Sequence, residues 1–492
     1  MHQETIIAIT FVFYLISMLG VGYLAYKRTQ NLDDYILGGR SLGPWVSALS
    51  AGASDMSGWL LMGLPGLAYS TGMGAFWVAL GLLSGTYVNW SIMANRLRAF
   101  SIKAGNALTI PSYLEHRFNN KTKYLRVFSG VFILIFFTIY TASGLIAGGK
   151  LFEEVFHISY FWSVVITSSS IVAYAILGGF LAVSWTDVIQ GLLMSFALLL
   201  VPLHVIWSSG GLEHTWTIFS EKNSGHLLNW LTDKNGIPLS WISILSFLGW
   251  GLGYMGQPHI LARFKAIKNP HDIPKAKRIA TCWTFFCLIG AAASGLSGLG
   301  YFPNELSDPE TVFMTLVNTA FNPLLAGVLL AAILAAIMST ADSQLLVASS
   351  TLTEDLYRNL LRRKASDQEY IFIGRLTVVI IAIAALFLAL VPGGMVLDVA
   401  AFAWAGFGAT FGPILLLSLY WRRMNAQGAI AGIFCGGLTV LIWKNLSGGI
   451  FELYEIIPGI ICSSIAIVIT TLLTPRDLKS EQLFTEVLPT LN

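Results

Sequence analysis

The sequence predicts an all-α integral membrane protein with about 13 transmembrane helices, and three observations support this. Hydrophobic residues make up 55% of the 492 residues and charged residues only 11%, against about 25% in soluble proteins. The apolar residues form long continuous runs, not the short alternating segments of a β-barrel. Basic residues cluster between the runs. So few charges exclude a soluble enzyme or a nucleic-acid-binding protein of this length.

Thirteen apolar segments approach or exceed the length of about 20 residues that a membrane helix needs. Segments five and six are divided at Gly178-Gly179, because no charge stands between Glu154 and Asp187. The segments cover residues 5–26, 45–70, 74–94, 127–148, 159–181, 185–207, 241–262, 279–302, 323–349, 371–391, 396–421, 428–446 and 454–473.

The basic residues predict the orientation of the chain. With thirteen spans and the N-terminus outside, nearly all of the 29 Lys and Arg residues fall on the cytoplasmic side. The exceptions are Lys150, Lys222, Lys234 and Lys444. Since cytoplasmic loops are rich in Lys and Arg, we expect an external N-terminus and a cytoplasmic C-terminus.

Three acidic residues, Asp55, Asp187 and Asp342, are expected at membrane depth. A charge in hydrocarbon costs several kcal/mol, so such residues usually line an aqueous path or face a partner. No Lys or Arg is expected at comparable depth. The sequence therefore predicts a cation from solution as their partner.

Two segments carry signals for an interrupted helix. In the second, Gly52, Ser54, Ser57 and Gly58 surround Asp55, and glycine disfavours a continuous helix. The seventh has four glycines between residues 249 and 256, followed by a proline. Close helix packing is the alternative interpretation of the glycines. Paired breaks in two halves of opposite orientation indicate the binding site of a transporter.

Hydroxyl and aromatic side chains lie inside other segments. Ser339, Thr340 and Ser343 stand beside Asp342, where hydroxyls suit a hard cation that prefers oxygen ligands. Bonding to their own backbone is the alternative. Tyr140, Trp250 and Tyr254 either wall a pocket for a small, partly apolar solute or pack in the core.

Five stretches resemble a known family. They begin at Tyr35, Ala51, Gly178, Trp250 and Ala335 and read YILGGRSLGP, AGASDMSGWL, GGFLAVSWTD, WGLGYMGQPH and AAIMST. In these motifs the sequence resembles the solute:sodium symporter family, and within it the sodium/proline branch. The resemblance implies a LeuT-like core of two inverted five-helix repeats, with one helix before and two after.

On that basis we expect six parts. These are a first helix and cytoplasmic loop (1–44), a first repeat (45–207), an external loop (208–240), a second repeat (241–421), two additional helices (422–475) and a short cytoplasmic tail (476–492).

The resemblance also implies the functional residues. Asp55 matches the acid essential for sodium coupling, and Asp187 matches an acid near the sodium path. Arg40 matches a functional residue at the cytoplasmic edge, and Asp342 is common in the family but not required in every proline transporter. The sodium-site positions are Ala53, Met56 and Ala336 through carbonyls, and Ser339 and Thr340 through hydroxyls. The proline-site positions are Ser57, Gly58, Tyr140, Trp250, Tyr254 and Pro258.

The expected function is sodium-driven uptake of L-proline by alternating access across a bacterial plasma (inner) membrane. We expect Na⁺ as the coupling ion, the lipid bilayer as surroundings, and no organic cofactor, nucleic acid or obligate protein partner. One alternative keeps the fold and changes the solute to another amino acid, pantothenate or a sugar. A membrane sensor and a membrane enzyme are disfavoured, the latter because HExxH and Walker A motifs are missing.

Overall fold

The computed structural model describes residues 3–26, 32–119, 123–177, 179–362, 364–391 and 394–491, which are almost entirely helical. Within them, ten helical stretches are long and apolar enough to cross a membrane. The prediction of an all-α membrane protein is confirmed. The count of thirteen spans and the six-part division stay predictions. The predicted spans without a long stretch of their own are the two interrupted ones and the fifth, where a shorter apolar helix covers Tyr160–Ile176.

The α-helices are numbered in chain order. They are α1 (Gln3–Tyr26), α2 (Leu32–Leu37), α3 (Pro44–Asp55), α4 (Leu64–Thr71), α5 (Phe76–Ile92), α6 (Ala94–Lys103), α7 (Ile110–Arg117), α8 (Tyr124–Phe156), α9 (Tyr160–Leu177), α10 (Phe180–Ser208), α11 (Gly211–Glu221), α12 (Trp241–Gly249), α13 (Pro258–Ala266), α14 (Ile273–Tyr301), α15 (Val312–Ala320), α16 (Pro323–Ser350), α17 (Asp367–Ala389), α18 (Val396–Tyr420), α19 (Ala426–Trp443), α20 (Ile456–Leu473) and α21 (Leu478–Val487).

Shorter helical turns complete the described backbone. Two π-helical stretches are Trp59–Gly63 and Thr351–Leu361. The 3₁₀ stretches are Gly38–Arg40, Gly72–Ala75, Lys222–Leu228, Trp250–Gly256, Pro270–Asp272, Pro309–Thr311, Gly449–Glu452 and Leu488–Leu491. Part of the predicted turn at Gly178-Gly179 lies outside the described residues.

Local sequence sets where several helices begin. The side chains of Thr109, Ser240 and Asn322 each accept a hydrogen bond from a backbone N–H of the first turn, which satisfies a donor that the helix itself leaves open. Proline stands in the first turn of α3 and α13, where its missing N–H costs nothing.

The interrupted helices lie at the centre of the bundle. Helix α3 packs against α10, α13, α14 and α16, and the 3₁₀ stretch Trp250–Gly256 packs against α5 and α18. Helix α16 is buried along almost its whole length, whereas α1 is largely exposed along one side. The centre of the bundle is therefore built from the two breaks and from the helix that carries Ser339 and Thr340.

The helix that follows the second break is longer than expected. Helix α13 continues to Ala266, whereas the predicted segment ends at residue 262. The reason is that Pro258 restarts a regular helix after the 3₁₀ stretch, and this second half continues for 9 residues. The extension places Arg263 and Lys265 inside the protein, where both are buried.

Candidate functional site

The first break follows Asp55. Helix α3 ends there, and Met56 has φ −85° and ψ 84°, outside the helical region. The Ser57 N–H bonds to the Asp55 carbonyl at 3.1 Å, not to a residue one helical turn earlier. A Cβ on Gly58 would lie 2.5 Å from the Cβ of Ala147, so glycine lets the unwound turn lie against α8. The predicted interruption is confirmed.

Asp55 joins the two breaks. The Tyr254 hydroxyl donates to Asp55 Oδ2 at 2.6 Å. The Asp55 carbonyl accepts from the Tyr140 hydroxyl at 3.2 Å and from Trp59 Nε1 at 3.3 Å. The other carboxylate oxygen, Oδ1, is buried without a hydrogen-bond partner among the described residues. The carboxylate thus fixes the unwound turn and keeps one oxygen open to a ligand.

Four of the five predicted ion ligands are linked by hydrogen bonds beside this turn, and the fifth, Met56, lies in the turn itself. The Ala53 carbonyl accepts from the Ser339 hydroxyl at 2.8 Å and from the Thr340 hydroxyl at 3.4 Å. Ser339 also donates to the Ala336 carbonyl at 3.2 Å. Met56 is buried in the unwound turn three residues after Ala53. Hydroxyls can rotate to offer lone pairs, so this group of oxygens fits a hard cation such as Na⁺.

The second break is the 3₁₀ stretch Trp250–Gly256, after which α13 begins at Pro258. A Cβ on Gly253 would lie 2.0 Å from Trp404 Nε1. Glycine at this position therefore allows the Trp404 indole to approach the backbone, where it donates to the Trp250 carbonyl at 2.8 Å. These contacts hold the second break against α18.

Most of the predicted solute residues lie at the two breaks, and Pro258 lines a cavity apart from them. Tyr140 and Tyr254 converge on Asp55, and the buried Ser57 hydroxyl in the same turn has no partner among the described residues. The Trp250 ring lies 5.8 Å from that of Trp59 and stacks on another ring, that of Tyr454. Pro258 lines a separate cavity. One closed pocket does not contain all six predicted positions.

Two polar residues at the site escaped the sequence analysis. A cavity of about 10 Å³ beside Asp55 is also lined by Thr86 and Asn89 of α5 and by Tyr254, which leaves room for about one water. Thr86 Oγ1 and Asn89 Oδ1 are buried without partners in the described part of the chain. Asn89 was detectable, because an amide inside an apolar segment indicates a polar environment.

Asp187 has a partner that the sequence analysis excluded. Arg263 forms a fully buried ion pair with the Asp187 carboxylate at 3.0 Å. Its guanidinium also donates to Ser50 at 2.9 Å and to Ser343 at 2.6 Å, while Ser50 donates to Asp187 at 2.6 Å. The expectation that no basic residue reaches the depth of the three acids was wrong. It failed because α13 extends beyond the predicted segment.

Asp342 and Arg40 lie in contrasting surroundings. Both carboxylate oxygens of Asp342 are buried without a hydrogen-bond partner among the described residues, and its role stays a prediction. Arg40 donates to Asn106 at 3.1 Å and to the carbonyls of Lys265 and Ala107 at 2.7 and 3.3 Å. Burial, aided by the positive charge of Arg98, lowers the pKa of Arg40 to about 10, so it remains charged at neutral pH.

The sequence profile of the sodium:solute symporter family matches residues 35–436. The chain belongs to this family. It is therefore a multi-pass membrane protein of a family of transporters that couple solute movement to Na⁺.

Relatives with assigned functions cover almost the whole chain. The sodium/proline symporter of Salmonella typhimurium is 48% identical over 96% of this chain and 94% of its own length. The high-affinity proline transporter PutP of Bacillus subtilis is 49% identical over 93% and 96%. The osmoregulated proline transporter OpuE of the same organism is 48% identical over 95% and 94%.

Solved structures share the fold. A substrate-bound, outward-open Na⁺-coupled sialic acid symporter matches 96% of this chain and 98% of its own, with a TM-score of 0.79 at 21% identity. The nucleobase-cation-symport transporter Mhp1 in a closed conformation matches 92% and 98%, with a TM-score of 0.51 at 14% identity. These likenesses confirm the predicted LeuT-like fold.

The ion pair between Arg263 and Asp187 is testable by a double-mutant cycle. Arg263→Gln leaves the Asp187 carboxylate buried without its countercharge, which we expect to lower the free energy of unfolding by about 3–5 kcal/mol. The double variant Asp187→Asn/Arg263→Gln removes both charges and should regain part of that loss. Denaturation of the purified proteins in detergent measures each value.

Arg362→Gln is the matched control, because Arg362 forms an exposed ion pair with Glu369 at 2.8 Å and such pairs contribute little. A double variant no more stable than Arg263→Gln alone would show that the charges do not compensate each other.

Proposed function

We propose that this chain is a secondary active transporter that uses an inward Na⁺ gradient to take up L-proline by alternating access, and that it is not an enzyme. The observation that carries the proposal is the position of Asp55 between two sets of groups. Ala53, two residues before Asp55, accepts hydrogen bonds from the hydroxyls of Ser339 and Thr340 through its carbonyl. The unwound turn follows Asp55, and Tyr254 of the second break donates to its carboxylate. The names of the relatives support proline as the solute.

The proposed ion site consists of carbonyl and hydroxyl oxygens. Ala53, Met56 and Ala336 would contribute carbonyls, and Ser339 and Thr340 hydroxyls. The hydroxyl protons now bond to the Ala53 and Ala336 carbonyls. An entering Na⁺ would turn these protons away and take the released oxygens of both helices as ligands. Ion binding would thereby tie α3 to α16.

Asp187 has a supporting role in this proposal. Its charge is compensated by Arg263, and the same guanidinium bonds to Ser343, four residues after Ser339 on α16. Ser50, which bonds to both charged partners, lies three residues before Ala53 on α3. The ion pair would therefore hold the two helices of the ion site at their working distance, and it would influence sodium binding through their positions.

The proposed solute site lies between the unwound turn that follows Asp55 and the second break. Backbone N–H groups near Ser57 and Gly58 open the second half of an interrupted helix, whose positive end suits a carboxylate. Trp250 and Tyr254 offer aromatic faces to the ring and the secondary ammonium of proline. Tyr140, which bonds to the Asp55 carbonyl, would close the pocket beside α8.

Solute binding requires this region to open. The cavity beside Asp55 has about 10 Å³, which is room for one water and not for an amino acid. The rings of Trp59 and Trp250 are 5.8 Å apart across the two breaks. Movement of the second break relative to the first would separate these rings and create the space. We propose that proline next passes Pro258, which lines a separate cavity, on its way to the cytoplasm.

The proposed setting is the plasma membrane of a bacterium, with the N-terminus outside and the C-terminus in the cytoplasm. The distribution of basic residues supports this orientation, and the relatives named above are bacterial. The driving force is sufficient, because each Na⁺ that crosses a potential of 100 mV releases about 2.3 kcal/mol.

The direct test measures uptake of labelled L-proline into proteoliposomes that contain the purified protein. We expect accumulation with an inward Na⁺ gradient and none with an equal K⁺ gradient or in protein-free vesicles. Unlabelled proline should compete, while pantothenate, sugars and other amino acids should not. Sodium-driven accumulation of one of those solutes in place of proline would retain the mechanism and overturn the substrate.

Removal of one proposed sodium ligand should change ion affinity more than turnover. Thr340→Val keeps the shape of the side chain and removes its hydroxyl, so we expect the half-saturating sodium concentration for proline uptake to rise about tenfold, as for loss of one contact to a charged group. The maximum rate at saturating sodium should change far less.

Thr377→Val is the matched control, because the Thr377 hydroxyl is equally buried but bonds within α17 to the Ile373 carbonyl. An unchanged sodium dependence in Thr340→Val would remove Thr340 from the ion site.

A further inference from the structure

Lys265 places a buried cation at the cytoplasmic end of α13. The residue is 1% exposed. Its ammonium donates to the Leu108 carbonyl, in the loop between α6 and α7, at 2.5 Å. An ammonium has three donors, and the other two lack an acceptor among the described residues. A charge buried in this way is costly unless a partner compensates it.

The charged groups around Lys265 do not provide that compensation. Asp355 is the acid whose field reaches the ammonium. Oδ1 of this carboxylate is bound by Arg126 at 2.6 Å and by Thr109 at 2.8 Å, whereas Oδ2 is buried and makes no hydrogen bond to Lys265 or to another described residue. Arg40 donates to the Lys265 carbonyl at 2.7 Å and adds a second positive charge nearby. Neither Lys265 nor Arg40 is bonded to a carboxylate among the described residues, so an anion that reached the ammonium would find two positive charges beside it.

The ammonium borders a small cavity that is also lined by Pro258, one of the predicted proline-site positions. Pro258, Ala262 and Lys265 line it on one side, and so do Ser350, the last residue of α16, and Thr351, which follows it. The Thr351 hydroxyl is buried without a partner in the described residues. The cavity has about 20 Å³, room for about one water. It is closed in this state, yet it contains a cation and a free hydroxyl donor.

A second, larger cavity continues the route. It has a volume of about 440 Å³ and a polar lining that includes Asp33, Asn106 and Ser112. Leu108 borders both cavities. The residue whose carbonyl holds the Lys265 ammonium thus also separates the small cavity from the large one, and displacement of this loop would join them.

We propose that the Lys265 ammonium and the Thr351 hydroxyl form a transit site for the carboxylate of the solute on its way to the cytoplasm. The inference rests on the proposed function. A carboxylate that leaves the N–H groups of the first break requires new hydrogen-bond donors on its path. Lys265 and Thr351 offer such donors in the small cavity that Pro258 lines. The ammonium exchanges its hydrogen bond to the Leu108 carbonyl for one to the carboxylate, and the α6–α7 loop is released because it loses that bond. A transit site has to bind its ligand weakly enough to let it leave.

The test separates the charge of Lys265 from its packing. In a background with Cys282, Cys287, Cys435 and Cys462 replaced by alanine, Lys265→Cys should slow sodium-driven proline uptake about tenfold, as for loss of one contact to a charged group. Equilibrium binding of labelled proline to the purified variant in the presence of sodium should stay within about twofold of the background protein.

Chemical modification should restore the charge and the rate. The thiolate introduced by Lys265→Cys attacks the thiosulfonate sulfur of 2-aminoethyl methanethiosulfonate, a disulfide forms and methanesulfinate leaves, so that the side chain again ends in an ammonium. We expect uptake to recover with this reagent and not with neutral methyl methanethiosulfonate. Lys268→Cys is the control, since Lys268 is exposed at the end of the same segment and should respond to neither reagent.

The outcomes are distinguishable. Absence of sodium-driven proline uptake in the unmodified background protein would contradict the proposed function. If that protein transports proline, a normal uptake rate in Lys265→Cys, or equal effects of the two reagents, would overturn the transit site. Thr351→Val provides an independent arm if Lys265→Cys fails to fold. It should slow uptake about threefold with proline binding unchanged, and a normal rate would contradict the proposal.

Discussion

The hydrogen bond between the Tyr254 hydroxyl and the Asp55 carboxylate is the contact on which the rest of the site depends. It is 2.6 Å long and buried, and it joins the break in the first interrupted helix to the break in the second. An interrupted helix leaves backbone groups open that its own turns no longer satisfy. Asp55 meets this need, because its carbonyl accepts from Tyr140 and Trp59 while its carboxylate reaches the opposite break. Whatever binds near Asp55 therefore acts on both interrupted helices at once.

The remaining polar contacts of the core build outward from this point. On one side, Ser339 and Thr340 connect α16 to the end of α3 through the Ala53 carbonyl. Elsewhere in the core, Arg263 connects α13 to α10, α3 and α16 through Asp187, Ser50 and Ser343. The contacts to Ala53, Asp187 and Ser50 each join helices from the two predicted repeats. Ion and solute binding can therefore alter the same set of helix–helix distances, as coupling through a common structural element requires.

Asp55 and the two breaks were predictable from the residues, because glycine clusters and acids inside apolar segments are costly in a membrane and mark functional positions. The hydroxyls of Ser339 and Thr340 were noticeable beside Asp342, whereas Ala53 and Ala336 were implied only by the family resemblance. Arg263 and Lys265 were missed because hydropathy assigns a charged residue at the end of an apolar run to a loop. The predicted segment ends at residue 262, just before Arg263, whereas α13 continues to Ala266. Local sequence patterns could not predict which of the six solute positions share one pocket, because that depends on packing between segments that are distant in the chain.

The measurement that tests this account most directly is the binding of labelled proline to purified Asp55→Asn, with and without sodium. Asparagine keeps the size of the side chain and most of its hydrogen bonding but removes the charge. The account predicts that sodium strongly increases proline binding to the unmodified protein, increases it partly in Asp55→Glu, and has no effect on a folded, monodisperse Asp55→Asn. Full sodium stimulation of proline binding to Asp55→Asn would contradict the claim that this carboxylate couples the ion to the solute.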